Sequence, residues 1–416
     1  MDAVDVVIIG AGVAGLAAAE TLRRQGRTCC VLEAAAWVGG RARTIQVAGA
    51  PFDLGATWLH DAARNPLVQL ARAAGETLLD ADSLRSSRLL IEGRLASAAD
   101  QADYFAASAR FESLATTRAE RDDVALAEAV APMQDDPWLA TIETWEASQI
   151  AAADARDFSV RDWRDNSLEG ANLWLPNGIG DFVSRALAPA AVDIRLNTPA
   201  TRIAWDRDVQ VETPAGTVVA QSCIVTVSTG VLAAGAIGFN PPLPPPTQAA
   251  IAGLPMGLLS KVALTGRWAD RLGLPESCSI RMQVPMRFAP AMSFHCWPLG
   301  APYIAGFVGG PTAWALSRAG KAASQDFVRE RFIAMLGADA ARGLEEIVLS
   351  QWGEDPLHRG SYAYARPGHA GARAVLGEPL AGGRLIFAGE ATRTDGLAGT
   401  VGGAWLAGEA AAAVAA

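Results

Sequence analysis

Lysine is nearly absent from this chain: of 35 lysines and arginines, only Lys261 and Lys321 are lysine. Where arginine is the default cation, a surviving lysine marks a place that a guanidinium does not suit. Cations are also outnumbered, 35 against 44 acids, for a net charge of −9. That balance excludes nucleic acid as a partner, because its binding rests on clustered Lys and Arg neutralising phosphates. The five cysteines include no CxxC pair, which removes a zinc site and a disulfide framework and points to free thiols in a reducing compartment. No Ser/His/Asp, metal-ligand or phosphate-transfer constellation is apparent. Long apolar runs with the right flanks are missing too. Val4 to Ala19 is apolar, but it follows Asp2 and has no basic residue before Arg23, the wrong flank for export. The Ala-rich C-terminal stretch is interrupted by Glu409 and is too short to span a bilayer. A cytoplasmic protein without a membrane partner is expected, either monomer or homodimer.

What the chain has in quantity is apolar material, half of 416 residues, enough for two or three domains at ~150 residues each. Asp5 to Ile9 (DVVII) reads as a buried parallel strand, a short β-branched run without alternation. GAGVAG follows, with Gly10, Gly12 and Gly15, and opens a helical pattern through Leu16, Ala19 and Leu22. A second apolar strand, Cys29 to Leu32, ends in Glu33. Strand, GxGxxG, helix, strand and acid in this order form the dinucleotide fingerprint. Gly10 allows the tight turn, Gly12 the approach of backbone to a pyrophosphate, and Gly15 the close packing of the helix. The helix N-terminus, at Val13 and Ala14, presents unpaired N–H groups and a positive dipole end to the phosphates. Glu33, with Ala34 behind it, is placed to accept the ribose hydroxyls of an adenosine.

Trp37-Val38-Gly39-Gly40-Arg41-Ala42-Arg43 is a second glycine turn closed by an arginine, which suits a cofactor extended across the sheet. Here the chain resembles the flavin amine oxidases, whose motif is a Glu followed by GGR. The resemblance implies FAD, with Arg41 at its phosphates and Arg43 a plausible neighbour; a non-covalent FAD is expected. Arg384 to Glu390 (RLIFAGE) and Gly399 to Trp405 resemble the same family's second FAD motif. It implies Gly389 and Glu390 near the ribityl chain and the amides of Thr400 and Val401 at the pyrimidine edge. A helix N-terminus there stabilises negative charge on reduced flavin.

Ile194 to Leu232 reads as a β-meander returning to a buried strand. It resembles the family's middle FAD segment, which implies that Ala200 passes the adenine by its backbone; Ser228 stands where the family usually has Pro. The expected fold is α/β, a Rossmann-like FAD-binding domain of the amine oxidase type with a second, α+β substrate domain. Both are discontinuous: 1–77, 170–250 and 376–416 for the cofactor, 78–169 and 251–375 for the substrate. The stretch 78–169 reads as helical, and its acids Glu112, Glu120, Glu128, Glu143 and Glu146 as a solvated helix face. The tract Asn240 to Pro246 excludes regular helix and central strand and marks the crossing between domains.

Lys261 lies in an apolar strand-like run, Met256 to Leu264, where burial is costly unless something polar receives it. The resemblance implies that it holds a water against flavin N5, near where oxygen reacts. Asp53 to His60 (DLGATWLH) looks most like the polyamine oxidases, placing Gly55, Ala56, Thr57 and Trp58 along the flavin and His60 at the substrate mouth. Asp61 departs from the Gly usual there. Gln351 to Tyr362 resembles the segment whose Trp (Trp352) packs beside the flavin and whose Tyr (Tyr362) walls the substrate. The second aromatic wall would fall at Thr400, and its absence argues against a simple monoamine oxidase.

The expected reaction is oxidation of an amine, with polyamines or secondary amines favoured. Hydride passes from the α-carbon to flavin N5, the imine hydrolyses to an aldehyde, and O2 is reduced to H2O2. No metal is expected. An amino-acid oxidase would need an arginine for the carboxylate, Arg281 or Arg287. A desaturase-like flavoprotein acting on C–C bonds, or a non-catalytic FAD-binding protein, are the further alternatives. A histone-demethylase role is disfavoured, since no long helical insertion is visible.

Overall fold

The computed structural model describes residues 2–188 and 192–415. Asp2–Ile9 is a strand buried on both faces: Val6 and Ile8 enter one apolar cluster with the helix Val13–Arg24, and Val7 and Ile9 enter the cluster opposite. A strand covered on both sides shows no polar alternation, hence the continuous apolar run. Cys29–Leu32 and Gly216–Val225 flank it in parallel, and Asp193–Arg195 extends the sheet beyond the former. On its other edge the long strand Gly216–Val225 divides its length between two further partners. Its first half pairs antiparallel with Val209–Thr213, and its end pairs in parallel with Leu385–Phe387. Arg202–Ala204 and Gly238–Asn240 complete the meander. The closing helix Val401–Val414 packs Trp405, Ala407 and Ala411 into the same cluster as the first helix, so both chain ends meet on one face.

The second sheet is mostly antiparallel, in the order Leu344–Leu349, Leu259–Gly266, Ile304–Gly309, Ser293–Cys296, Cys278–Met282, Ser86–Ile91 and Arg94–Leu95. The helices Gly310–Ala319 and Lys321–Leu336 pack Ala313, Val328 and Phe332 into its core. A separate helical cluster forms around Ala98–Arg121, which buries Tyr104, Ala107, Phe111 and Ala115 at helical spacing. Ser97 and Asp100 close its start as a reciprocal capping box. Among the described residues no helix is long and apolar enough to cross a membrane.

Two expectations are corrected here. The stretch 78–169 is not helical throughout, because Ser86–Ile91 and Arg94–Leu95 form a hairpin at the edge of the second sheet. Its loop is Glu92-Gly93, both with positive φ (48° and 84°), the geometry of a two-residue primed turn. The proline tract is likewise only half irregular: Pro245 and Pro246 are the first turn of the helix Pro245–Gly253. Proline is tolerated there because a first-turn N–H has no intrahelical acceptor.

Candidate active site

The first glycine turn and the two chain-distant FAD segments converge on one cavity of about 720 Å³ between the sheets. Gly10 sits at φ +101°, and a Cβ there would lie 2.7 Å from Thr226 Oγ1, so the turn takes only glycine. Glu33 is buried and pinned by two amides, Ala11 N to Oε2 at 2.6 Å and Ala35 N to Oε1 at 2.7 Å. Arg41 reaches across the fold to Glu390 Oε1 (2.9 Å) and the Ser361 carbonyl (2.8 Å). That ion pair ties the GGR turn to the C-terminal motif, and Ala363 N donates to the same carboxylate oxygen at 3.1 Å. Arg43 instead stacks over Trp37, 3.9 Å from the ring centroid.

These residues fit a flavin dinucleotide. Glu390 Oε2 is buried without a hydrogen-bond partner, and a buried carboxylate oxygen left so calls for a donor such as a ribityl hydroxyl. Gly12 lies on the cavity wall, and a Cβ built on it meets nothing within 4 Å, so the space the glycine leaves faces the cavity. Of the expected cofactor contacts, Gly10, Gly12, Val13, Ala14, Glu33, Ala34, Gly40, Arg41, Gly55, Ala56, Thr57, Trp58, Ala200, Trp352, Gly389, Glu390, Thr400 and Val401 all line the cavity. Gly15 does not; it packs against the carbonyl of Gly10, so its smallness serves the turn.

Lys261 is buried on Leu259–Gly266, and its ammonium is received by the carbonyls of Asp53 (3.3 Å) and Gly55 and by Thr57 Oγ1. Burial lowers its pKa to about 8, against the opposing pull of the Asp53 carboxylate. Asp53, also buried, is pushed up by the same desolvation despite accepting from Thr44 Oγ1 and the amides of Ile179 and Gly180. Lys321, by contrast, is exposed. The two lysines therefore occupy opposite environments.

His60 Nδ1 lies 2.6 Å from Asn172 Oδ1. The Asn172 amide is oriented by Asp82, to which its Nδ2 donates at 2.9 Å, so its oxygen faces the histidine. His60 therefore carries its proton on Nδ1. Burial holds its pKa below the ordinary value, which keeps the ring neutral, and among the described residues Nε2 has no partner at the cavity wall. Tyr362 donates its hydroxyl to the Ile150 carbonyl at 2.8 Å, and burial raises its pKa, so it stays a phenol. Trp352 is buried, its Nε1 bound to the Leu54 carbonyl at 3.0 Å beside Gly55.

The three departures from the family pattern have local causes. Asp61 adopts φ +49°, the left-handed region where glycine is at home, and holds Arg64 through Oδ2 at 2.7 Å. Ser228 caps the helix Thr229–Ala233 and donates to the His358 carbonyl at 2.6 Å. Thr400 caps the closing helix, accepting from Gly403 N at 2.9 Å.

The reading of the acid series as one solvated face is corrected. Glu112, Glu120 and Glu128 are exposed, but Glu143 is buried against Arg287, and Glu146 turns into the cavity. The α-helix Leu139–Glu143 continues as a π-helix, Thr144–Ile150, so the acids of the stretch share neither one helix nor one period. Arg287 is thus committed to Glu143, and Arg281 stacks near Tyr104 and Trp145; neither lines the cavity. Sequence reading also missed the buried pair Asp162–Arg373, joined by two bonds of 2.7 and 2.9 Å, and Asn172 behind His60. Their partners lie far apart in the chain, and no local spacing announces them.

Comparison with known proteins agrees with this geometry. Residues 128–416 match the family described as flavin containing amine oxidoreductase, and residues 8–73 match the NAD(P)-binding Rossmann-like domain. Polyamine oxidase 4 of Oryza sativa subsp. japonica is 30% identical, over 98% of this chain and 87% of that protein. Lysine-specific histone demethylase 1 homolog 1 of Arabidopsis thaliana is 29% identical, over 97% of this chain but 51% of that protein. The solved structure of putrescine oxidase bound to putrescine shares the fold, at a TM-score of 0.83 and 21% identity, over 99% of this chain and 98% of that one.

Proposed function

The chain belongs to the flavin-containing amine oxidoreductases, and from that premise we propose that it oxidises a secondary amine or polyamine at the carbon next to nitrogen. It is an FAD enzyme acting on amines. FAD held by these residues would supply a two-electron acceptor for a hydride from the α-carbon, and its reoxidation by dioxygen, with uptake of a proton, would yield hydrogen peroxide. The iminium left on the substrate takes up water and breaks down to an aldehyde and a shorter amine.

The chain's own residues are assigned around that chemistry. Segments 1–77, 170–250 and 376–416 hold the cofactor; 78–169 and 251–375 shape the substrate side. Tyr362, fixed by Ile150, supplies a flat wall against the amine and keeps water away. His60, neutral and with no described partner on Nε2, can accept an N–H of the incoming amine and so orient its nitrogen at the cavity wall. Lys261 holds a proton beside the Gly55 carbonyl and the Thr57 hydroxyl, where charge develops as oxygen is reduced. The observation that carries the reading is this lysine, buried on carbonyls and a hydroxyl in a cavity lined by both FAD motifs.

Anaerobic flavin bleaching across spermine, spermidine, acetylated polyamines, monoamines and amino acids tests it. Polyamines or other secondary amines are expected to bleach the yellow protein fastest. Bleaching by amino acids alone overturns the substrate class, and bleaching by nothing overturns the activity.

A further inference from the structure

The two faces of the antiparallel sheet are packed differently. Val262, Phe294, Cys296 and Val308 enter the apolar cluster built with the helices Gly310–Ala319 and Lys321–Leu336. The opposite face carries Lys261 beside Phe307 and, one row on, Ala305 beside His295. Phe52, on the strand Ala50–Asp53, meets Tyr303 edge to face at 5.3 Å between ring centroids. Between this strand and the sheet lies a second cavity, of about 330 Å³. At one end stand Pro176 and Pro302, both exposed; at the other stands Lys261, buried. Thr57, Trp58 and Lys261 are the three residues that line both this cavity and the larger one. Trp58 makes that partition a packed wall. Its ring lies 6.1 Å from His60 on the amine side and 6.0 Å from Trp174, which packs 5.5 Å from His295.

The chemistry of the lining selects what can use this passage. Most of it is apolar, and its polar groups are largely satisfied within the protein. Asp53 accepts from Thr44 Oγ1 and two backbone amides, and the Tyr303 hydroxyl donates to the Pro51 carbonyl at 2.7 Å. His295 Nε2 is buried without a partner, but the ring is uncharged, since burial lowers its pKa to about 4. A protonated amine is opposed here, because the inner end is the Lys261 ammonium and like charges repel. A small neutral apolar molecule meets no such barrier, since apolar cavities bind guests such as xenon without hydrogen bonds. We propose that this second cavity takes up dioxygen and delivers it to Lys261, apart from the cavity that receives the amine. This rests on the oxygen-reducing part of the reading above. Each turnover there consumes one dioxygen, which takes the hydride's electron pair and proton from the reduced cofactor and one proton from solvent, and leaves as hydrogen peroxide. A separate passage lets dioxygen arrive while the oxidised product still fills the amine side.

Filling the passage without touching the amine side tests it. Ala305 lines the second cavity one row from Lys261, and Ala305→Phe places a ring across it. In crystals of the FAD-loaded parent under xenon pressure, a xenon atom is expected in the cavity, and Ala305→Phe should lose it. In stopped flow, reoxidation of Ala305→Phe by dioxygen should have a second-order rate constant about tenfold lower, ~1.4 kcal/mol of added barrier. Its anaerobic reduction by amine should keep the parent's rate. The slowed reoxidation should also keep the parent's decline as pH rises through about 8. Loss of that decline would trace the slowing to Lys261 itself and overturn the passage. Xenon absent from the parent's cavity, or parental reoxidation with the ring in place, overturns it as well. A parent protein that amines bleach and dioxygen does not restore overturns the oxygen-reducing reading instead. Should Ala305→Phe fail to fold, Ala301→Phe, on the half-buried rim of the cavity, must show the same split between the two half-reactions.

Discussion

Gly12 and Gly15 belong to one motif, yet the structure assigns their smallness to different masters, and an alanine at each separates the two. Gly12 has φ −70° and ψ 177°, a conformation alanine adopts freely, and its Cβ would meet nothing within 4 Å. Without cofactor, Gly12→Ala therefore costs little. The narrowed unfolded ensemble contributes about 0.4–1 kcal/mol in its favour, and alanine's poorer capping of the helix Val13–Arg24 cancels a similar amount. With FAD bound, the new methyl occupies space on the cavity wall, and overpacking of about 1–3 kcal/mol weakens binding by roughly 5- to 150-fold. Gly15 is the opposite case. Its Cβ would lie 1.9 Å from the Gly10 carbonyl oxygen and 3.3 Å from Thr226 Oγ1, so backbone must move whether or not FAD is present. Urea unfolding at zero and saturating FAD reads the difference, because a ligand stabilises the fold according to its affinity. Gly12→Ala should match the parent without FAD and fall behind it with FAD; Gly15→Ala should fall behind in both. Equal losses without FAD, or parental FAD affinity in Gly12→Ala, would show that the turn is shaped by the fold and not by the ligand.

Two further outcomes follow from buried charges. Lys261, with its pKa lowered to about 8, is protonated below that value and neutral above it. Reoxidation of the anaerobically reduced protein by O2 should therefore slow as pH rises through about 8. Lys261→Met should be about tenfold slower or more at pH 7, the effect of roughly 1.4 kcal/mol of lost charge stabilisation, and flat across that range; stopped-flow traces matching the parent's would remove the lysine from the oxygen half-reaction. Arg373→Met should cost about 3–5 kcal/mol in urea unfolding, because it strands the buried Asp162 carboxylate. The double variant Arg373→Met, Asp162→Asn should recover part of that loss, and a double variant no better than the single would mean that packing, not charge, makes the site rigid.

The cofactor half of the cavity was legible because its parts are local and their chemistry is backbone chemistry. A tight turn, a helix start and a strand-end acid are read within the first 41 residues, and Glu33, Arg41 and Glu390 all stand on the same wall. Lys261 was legible for a compositional reason: one of only two lysines, in an apolar strand, had to be received by something. The Ser86–Ile91 hairpin was lost because its turn, Glu92-Gly93, lacks the Asn or Asp that usually announces positive φ at the first position. Asp162–Arg373 was lost because an ion pair spanning that much sequence leaves no periodic trace.

Glu146 failed to show for a subtler reason. Acids set among Ala and Leu read as a solvated helix face, but those from Glu112 to Glu146 stand on separate helices, Ala98–Arg121, Leu126–Ala129, Leu139–Glu143 and Thr144–Ile150. Glu143 is buried on the α-helix Leu139–Glu143, and on the π-helix that follows Glu146 and Gln149 line the cavity. A widened turn carries poorer packing than regular helix and persists where its surroundings hold it. Here Tyr362 ties down its last carbonyl, and Ser148 packs its backbone against Gly309, where a Cβ would come within 1.7 Å of the serine oxygen. Glu146 therefore lines the cavity on a segment whose last carbonyl is held by Tyr362, the residue assigned to face the substrate, and that tie joins residues too far apart in the chain for a local pattern to show.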